Sequence, residues 1–181
     1  MQTVLDHGIR PGLSIDVECS LTTDMFTQMQ VAMSNQRMQS AQRMHAGEDA
    51  PEPISTQAVL EWATIGGAEA NGFASRCGSL SPGKQADIVL IDANEVNNLP
   101  LNNAVATVVL GADGRNVNAV FVAGVPRKWN GRLLEPELKH LRRLAQESRD
   151  WLLESVGMEL DIVARPSATS PPPQWNEQQL D

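Results

Sequence analysis

The sequence has no tyrosine, and aromatic residues make up only 4% of its 181 positions. A core must therefore be built from aliphatic side chains and methionine, and an apolar content of 41% is enough for one ordinary domain or two small ones. No apolar run approaches the roughly 20 residues that a helix needs to cross a bilayer. Residues 1–8 also lack the basic and apolar stretches of a secretory signal. We therefore expect neither a membrane span nor a signal peptide.

Basic residues are in deficit, with 14 Lys and Arg against 22 Asp and Glu and a net charge of −8. Nucleic acids and anionic membranes bind basic surfaces, which replace the counterions around their phosphates. The charge balance therefore predicts no nucleic-acid partner and no membrane partner.

Cysteine is scarce as well, with only Cys19 and Cys77, and the two do not form a CxxC pair. This spacing is typical of neither a zinc knuckle nor a disulfide framework. We expect two buried, reduced thiols in a cytoplasmic protein.

The three histidines, His7, His45 and His140, form neither a His-x-His pair nor an HExxH motif. A catalytic zinc normally keeps three protein ligands, and the spacing of these residues offers no such set. His45 is expected at a helix end, where a protonated imidazole suits the helix dipole, and His140 on a solvated helix face.

The octapeptide 78–85, GSLSPGKQ, satisfies the first seven positions of a phosphate-binding P-loop. Gln85 then stands where a Ser or Thr must hold magnesium. The loop also leads into a predicted strand, whereas a P-loop leads into a helix, and Pro82 removes an amide donor. These departures exclude a nucleotide triphosphatase on mechanistic grounds.

The first part of the chain is predicted to be mainly helical. We expect a helix end at residues 3–8, closed by Gly8, and a short strand at Leu13–Val17. A long helix then begins after Thr22 or Thr23 and runs to about Met44.

The long helix carries Met25, Met29 and Met33 on one face. That face either lines a pocket or partner groove, or is an ordinary buried face. Ser55 or Thr56 opens the next helix, which has a face of small residues.

The second part is predicted to be rich in strands, at residues 86–92, 105–110 and 117–122, with a hairpin around Asn130-Gly131. Pro136 suits the first turn of a last helix, and the proline-rich residues 165–181 are typical of a mobile tail. The resulting divisions are 1–73, 74–134, 135–164 and 165–181.

Asp16 is the best single candidate for chemistry. It follows a short predicted strand, and in a βα-barrel the ends of the strands carry the active site. A carboxylate there can ligate a metal and accept a proton from bound water. The alternative is a loop aspartate that caps the following turn, and spacing alone does not separate the two.

Two stretches resemble the amidohydrolase superfamily. Residues 12–18 (GLSIDVE) with 24–29 (DMFTQM) are similar to the last barrel strand and following helix in the branch of cytosine deaminase, adenosine-type deaminases and triazine hydrolases. Residues 63–90, including PGKQADIVL, are similar to the segment that leaves the barrel for a small β-sandwich, and Val120–Gly124 continues the match.

The resemblance implies an α/β fold class: a C-terminal fragment of a (β/α)8 metal-dependent hydrolase barrel plus part of its small β-sandwich lobe. It implies hydrolysis of non-peptide C–N bonds in a small-molecule substrate, with zinc or another divalent metal in the parent enzyme. Asp16 matches the aspartate that ligates the metal and moves a proton from water to the leaving group.

The family's histidine ligands are absent from this sequence, so we expect the isolated chain to be inactive and to bind no metal alone. The alternative is a non-catalytic binding or assembly module derived from the family. We also expect the strands near 87–92 and 117–122 to leave unpaired edges, which predicts a homo-oligomer.

Overall fold

The computed structural model describes residues 2–17, 23–134 and 138–157. The chain divides into two compact units, Met1–Glu135 and Pro136–Asp181. The elements of the first unit are α1 Gln2–Asp6, α2 Met25–His45, α3 Thr56–Glu61, a π-helical turn Trp62–Gly66, α4 Gly67–Ala70, β1 Ile88–Ile91, a 3₁₀ turn Val96–Asn98, α5 Ala104–Leu110, β2 Val117–Val122, β3 Val125–Trp129 and β4 Arg132–Leu133. The second unit contains α6, Leu138–Val156.

The core of the first unit lies among its helices. A buried cluster joins Met29 and Met33 of α2 with Val59, Trp62 and Val109. The methionine face is therefore an ordinary buried face, which is one of the two interpretations that its spacing allowed. Methionine suits this place because its flexible side chain fills irregular gaps in a core poor in aromatics.

The start of α2 differs from the prediction. Asp24, not Thr22 or Thr23, is the N-cap residue: its carboxylate accepts hydrogen bonds from the Thr27 amide at 2.8 Å and the Thr27 hydroxyl at 2.7 Å. Carboxylates are strong N-caps because they accept an amide that has no partner within the helix. Ser55 caps α3 as predicted.

Residues 105–110, predicted as a strand from their β-branched side chains, form the helix α5 instead. Asn103 caps this helix by accepting a hydrogen bond from the Ala106 amide at 2.9 Å. Its Val109 is fully buried in the helical core. Packing of this face outweighs the strand preference of valine, which is a weak determinant when context competes.

A buried glutamine joins α1, α2 and the loop before α3. The side-chain nitrogen of Gln36, only 1% exposed, donates to the Gln2 side chain at 3.0 Å and to the Glu52 carbonyl at 3.1 Å. Its oxygen accepts the Ile54 amide at 3.0 Å. The amide is therefore satisfied at both ends, as a buried polar group must be.

The sheet is antiparallel with the order β1-β2-β3-β4. The predicted hairpin is confirmed, with Asn130 and Gly131 at φ 48° and 73° as a two-residue turn of this type requires. The prediction of an open edge is wrong for β2, which pairs on both sides. It agrees with β1, which pairs only with β2 within the described residues.

The second unit contains the predicted last helix as α6. Pro136 and the predicted tail at residues 165–181 lie outside the described residues. Among the helices of the described ranges, none combines the length and apolar character that a bilayer crossing requires.

Candidate functional site

Asp16 lies in a tight turn at the end of an extended segment. Burial alternates from Leu13 to Asp16, with residues 13 and 15 half-buried and 14 and 16 exposed. The segment is not the predicted strand, because no neighbouring chain pairs with it in the described part of the molecule.

The backbone of Asp16 has φ 56°, an uncommon value for a residue with a side chain. The Val17 amide donates to the Ile15 carbonyl at 2.8 Å across it, and the Asp16 amide donates to the Ser14 hydroxyl at 3.2 Å. Backbone outliers of this kind concentrate at functional sites. The turn therefore presents an exposed carboxylate in a locally constrained position.

The segment before Asp16 is anchored against the π-helical turn. The Leu13 amide donates to the Trp62 carbonyl at 3.0 Å, and the Leu13 side chain packs on the buried cluster. A Cβ on Gly66 would lie only 2.7 Å from the Pro11 carbonyl oxygen, so this approach requires glycine. Asp16 thus lies three residues after Leu13, which is hydrogen-bonded to the helical region and packs on its core.

Within the described part of the first unit, His7 and His45 do not join Asp16 in a metal site. His7 is exposed after α1, with Nδ1 2.7 Å from the Thr3 carbonyl oxygen, and His45 is the last residue of α2. His140 belongs to the second unit. Among the described residues, no three His, Cys, Asp or Glu side chains are grouped so that they could hold a metal ion.

These residues therefore do not fit a complete catalytic zinc site, which normally takes three protein ligands. Asp16 offers one carboxylate. Cys19, Glu18 and Ser20, which follow it in the sequence, lie outside the described residues.

A cleft of about 690 Å³ lies between the helices and β1. Its walls are mainly apolar and include Leu60, Ala63, Val108, Ile88, Val89 and Ile91. Sequence reasoning missed this cleft. Its signals were the small residues Ala63, Gly67 and Ala68 after α3, which allow close approach, and a strand that is apolar at all four positions.

The stretch that resembles the superfamily has a structural role in this fold. The Asp87 carboxylate accepts the Ala123 amide at 2.6 Å, and the Ala86 carbonyl accepts the Gly124 amide at 3.0 Å. Ala123 and Gly124, at φ 50° and 79°, form the turn between β2 and β3. Asp87 therefore fixes this turn to the start of β1.

In the loop at residues 78–85, which resembles a P-loop in sequence, the lysine side chain is hydrogen-bonded to the loop itself and its start. The Lys84 ammonium donates to the Ser79 hydroxyl at 2.7 Å and to the Cys77 carbonyl at 3.3 Å. The next regular element is the strand β1, which supports the exclusion of a phosphate-binding loop. Cys77 is half-buried and free.

Comparison with known proteins places this chain in one family. The sequence profile described as "Amidohydrolase family" matches residues 1–127. The chain therefore belongs to the amidohydrolase family, as the residues of its two motif stretches predicted.

Two curated relatives are similar over two thirds of the chain. The 5-methylthioadenosine/S-adenosylhomocysteine deaminase of Teredinibacter turnerae is 36% identical over 119 residues, covering 65% of this chain and 25% of that protein. The S-triazine hydrolase of Gordonia rubripertincta is 34% identical over 122 residues, covering 67% of this chain and 24% of that protein. The chain thus spans about a quarter of the length of these relatives.

Solved structures agree in fold. A zinc-bound adenosine deaminase from Xanthomonas campestris superimposes with a TM-score of 0.68 and 26% identity, over 81% of this chain and 32% of that chain. The zinc complex of atrazine chlorohydrolase TrzN from Arthrobacter aurescens superimposes with a TM-score of 0.61 at 21% identity, over 79% and 30% of the two chains. Both related structures hold zinc.

Proposed function

We propose that this chain is the C-terminal part of a metal-dependent amidohydrolase that hydrolyses a non-peptide C–N bond. Its parts would be the last barrel strand with flanking helices at 1–73, part of the β-sandwich lobe at 74–134, a C-terminal helix at 135–164 and a tail at 165–181. The coverage of only a quarter of each relative supports a partial enzyme. The substrate class would be an amino-substituted nitrogen heterocycle, since the relatives are a nucleoside deaminase and a triazine hydrolase.

The observation that carries this proposal for the site is the constrained turn at Asp16. Asp16 would supply one carboxylate to a metal centre, and the other ligands would come from outside the described residues. Zinc fits this proposal because both related structures hold it. Since the described residues do not complete such a centre, the isolated chain would have no activity and no tightly bound metal.

The isolated chain provides the first test. Metal analysis of the chain after dialysis against zinc should give substoichiometric zinc. Assays on adenosine-type substrates should show no release of ammonia above that in buffer. Stoichiometric zinc together with turnover would refute the claim that the chain is incomplete.

A graft tests the role of Asp16 directly. The matching quarter of the Teredinibacter turnerae deaminase would be replaced by residues 1–127 of this chain. We expect zinc binding and ammonia release in the graft, and a loss of at least about a hundredfold in turnover on Asp16→Asn, given the usual contribution of an acid–base group. Asp6→Asn, an exposed carboxylate on α1, is the matched control. Equal activity of both variants would exclude Asp16 from the site.

A second candidate function, a non-catalytic binding or assembly module, is favoured by one observation. β1 is apolar throughout, yet Val89 is 54% and Leu90 46% exposed at the edge of the sheet. An exposed apolar edge is a template for another strand. We propose that in such a module this edge accepts a strand from a second copy of the chain.

A further inference from the structure

The second unit carries an apolar stripe that the catalytic proposal does not use. The exposed apolar residues of this stripe on α6, with their exposed fractions, are Leu138 (49%), Leu141 (52%), Leu144 (46%), Trp151 (65%) and Leu152 (52%). At 100° per residue these positions fall within an arc of about 140° on one side of the helix. A helix with such a stripe gains stability mainly by burying it against another element.

The charges of α6 are separated along its length. The first half, residues 138–146, contains Lys139, Arg142 and Arg143 and no acidic residue. The second half, residues 147–156, contains the acidic residues Glu147, Asp150 and Glu154. Its one basic residue, Arg149, is paired with Asp150 at 2.6 Å.

We propose that α6 pairs antiparallel with α6 of a second copy of the chain. In this orientation the basic half of each helix lies along the acidic half of the other. A parallel pair would instead set basic halves together and acidic halves together. The opposed helix dipoles also favour the antiparallel pair.

The side chains of the stripe match in the same orientation. An alignment that sets Ala145 opposite Ser148 of the partner also sets Leu141 opposite Leu152 and Leu144 near Trp151, by residue spacing alone. Two small residues then meet at the centre, where they allow close approach of the helices. Large apolar residues meet on both sides of that centre.

Self-association of the full chain is measured by sedimentation and light scattering, with Val89→Lys present throughout so that the sheet edge cannot contribute. We expect a dimer that L141E/L152E weakens at least about a hundredfold, because the two buried leucines are each worth about a factor of ten. Gln146→Glu adds one negative charge on the opposite side of the helix and should leave the dimer unchanged. Circular dichroism confirms that each variant is folded.

Cross-linking fixes the orientation. In a background with Cys19→Ser and Cys77→Ser, chains carrying L138C are mixed with chains carrying S155C. The antiparallel pair brings residues 138 and 155 of different chains together, so the mixed disulfide should dominate.

Three outcomes would overturn the proposal. One is a monomer at high protein concentration, whether α6 then packs on its own chain or on another partner. The second is a dimer that L141E/L152E leaves intact, and the third is a predominance of 138–138 disulfides.

Discussion

Asp113 and Arg115, just before β2, show how far one ion pair can change a titration. The Arg115 guanidinium lies 2.7 Å from the Asp113 carboxylate, and the Arg115 amide donates to the same carboxylate at 2.8 Å. The side-chain hydrogen bond from Arg115, with the backbone hydrogen bond second, lowers the pKa of Asp113 to about 2. Because the pKa is lowered by folding, the pair stabilises the folded state above the ordinary pKa of 3.8, and this contribution fades as the pH falls towards 2.

We expect Arg115→Gln to raise the pKa of Asp113 most of the way towards its ordinary value, since the largest cause of the shift is removed. The backbone hydrogen bond remains, so a small depression should persist. Carboxyl chemical shifts followed by NMR from pH 6 to pH 1.5 measure the change. Arg132→Gln, on β4, is the control that should leave the titration in place; an unchanged midpoint in the Arg115 variant would contradict the assignment.

At the same scale, the sequence identified Asp16 but could not decide between chemistry and a turn cap. The structure supports a functional role, since a φ of 56° and the hydrogen bond to Ser14 constrain the turn that carries Asp16. Asp87 is the opposite case. The motif that contains it indicates the family, whereas its carboxylate accepts a hydrogen bond from the Ala123 amide and thus has a structural role.

The elements reveal which sequence signals were reliable. The existence of α2 and α3 was predicted from their apolar faces and capping residues, and the hairpin from Asn130-Gly131, because these signals act within a few residues. Residues 105–110 were assigned wrongly because their outcome depends on contacts with α2 and α3, which are distant in sequence. The cleft was missed for the same reason: its two walls are brought together only by the tertiary fold.

The close contact between Gly66 and Pro11 gives a prediction, and the neighbouring Gly67 provides a matched control. A Cβ at position 66 would lie 2.7 Å from the Pro11 carbonyl oxygen, whereas one at 67 would meet nothing closer than the Trp62 carbonyl at 3.7 Å. We expect Gly66→Ala to lower the free energy of unfolding by roughly 1–3 kcal/mol through overpacking against backbone. Gly67→Ala should be neutral or stabilising by up to about 1 kcal/mol, since alanine is the better helix former.

Chemical denaturation of the full chain, followed by circular dichroism, compares the two variants. Equal stabilities would mean that residues 10–13 do not pack against the helix as described. The comparison is sharp because both substitutions add the same methyl group in adjacent positions.

At the scale of the whole molecule, the described residues form one sheet, and its β1 edge is open among them. Charged residues at such edges normally prevent association, and β1 has none among its four positions. This edge is where the strand that we propose above would add to the sheet.

We expect Val89→Lys to reduce association through this edge without unfolding the sheet, because Val89 is 54% exposed. Thioflavin binding and light scattering of concentrated solutions, with L141E/L152E present to remove pairing of α6, measure the effect. Val122→Lys, which places the same charge at an exposed position of the central strand β2, is the control. If both lysines, or neither, changed association, the β1 edge would not be the contact.

The π-helical turn Trp62–Gly66 determines the direction in which the residues of α4, which continues the same helix, face. Before it, Val59 faces the core; Gly66 at its end meets Pro11, and Ala68 after it meets Gly78. Deleting one residue here would turn the downstream part by about 100° and move both glycine contacts off their partners together. The segment that leads to Asp16 and the loop that leads to β1 therefore both contact the same part of this helix. A rotation of that part would change the position of both.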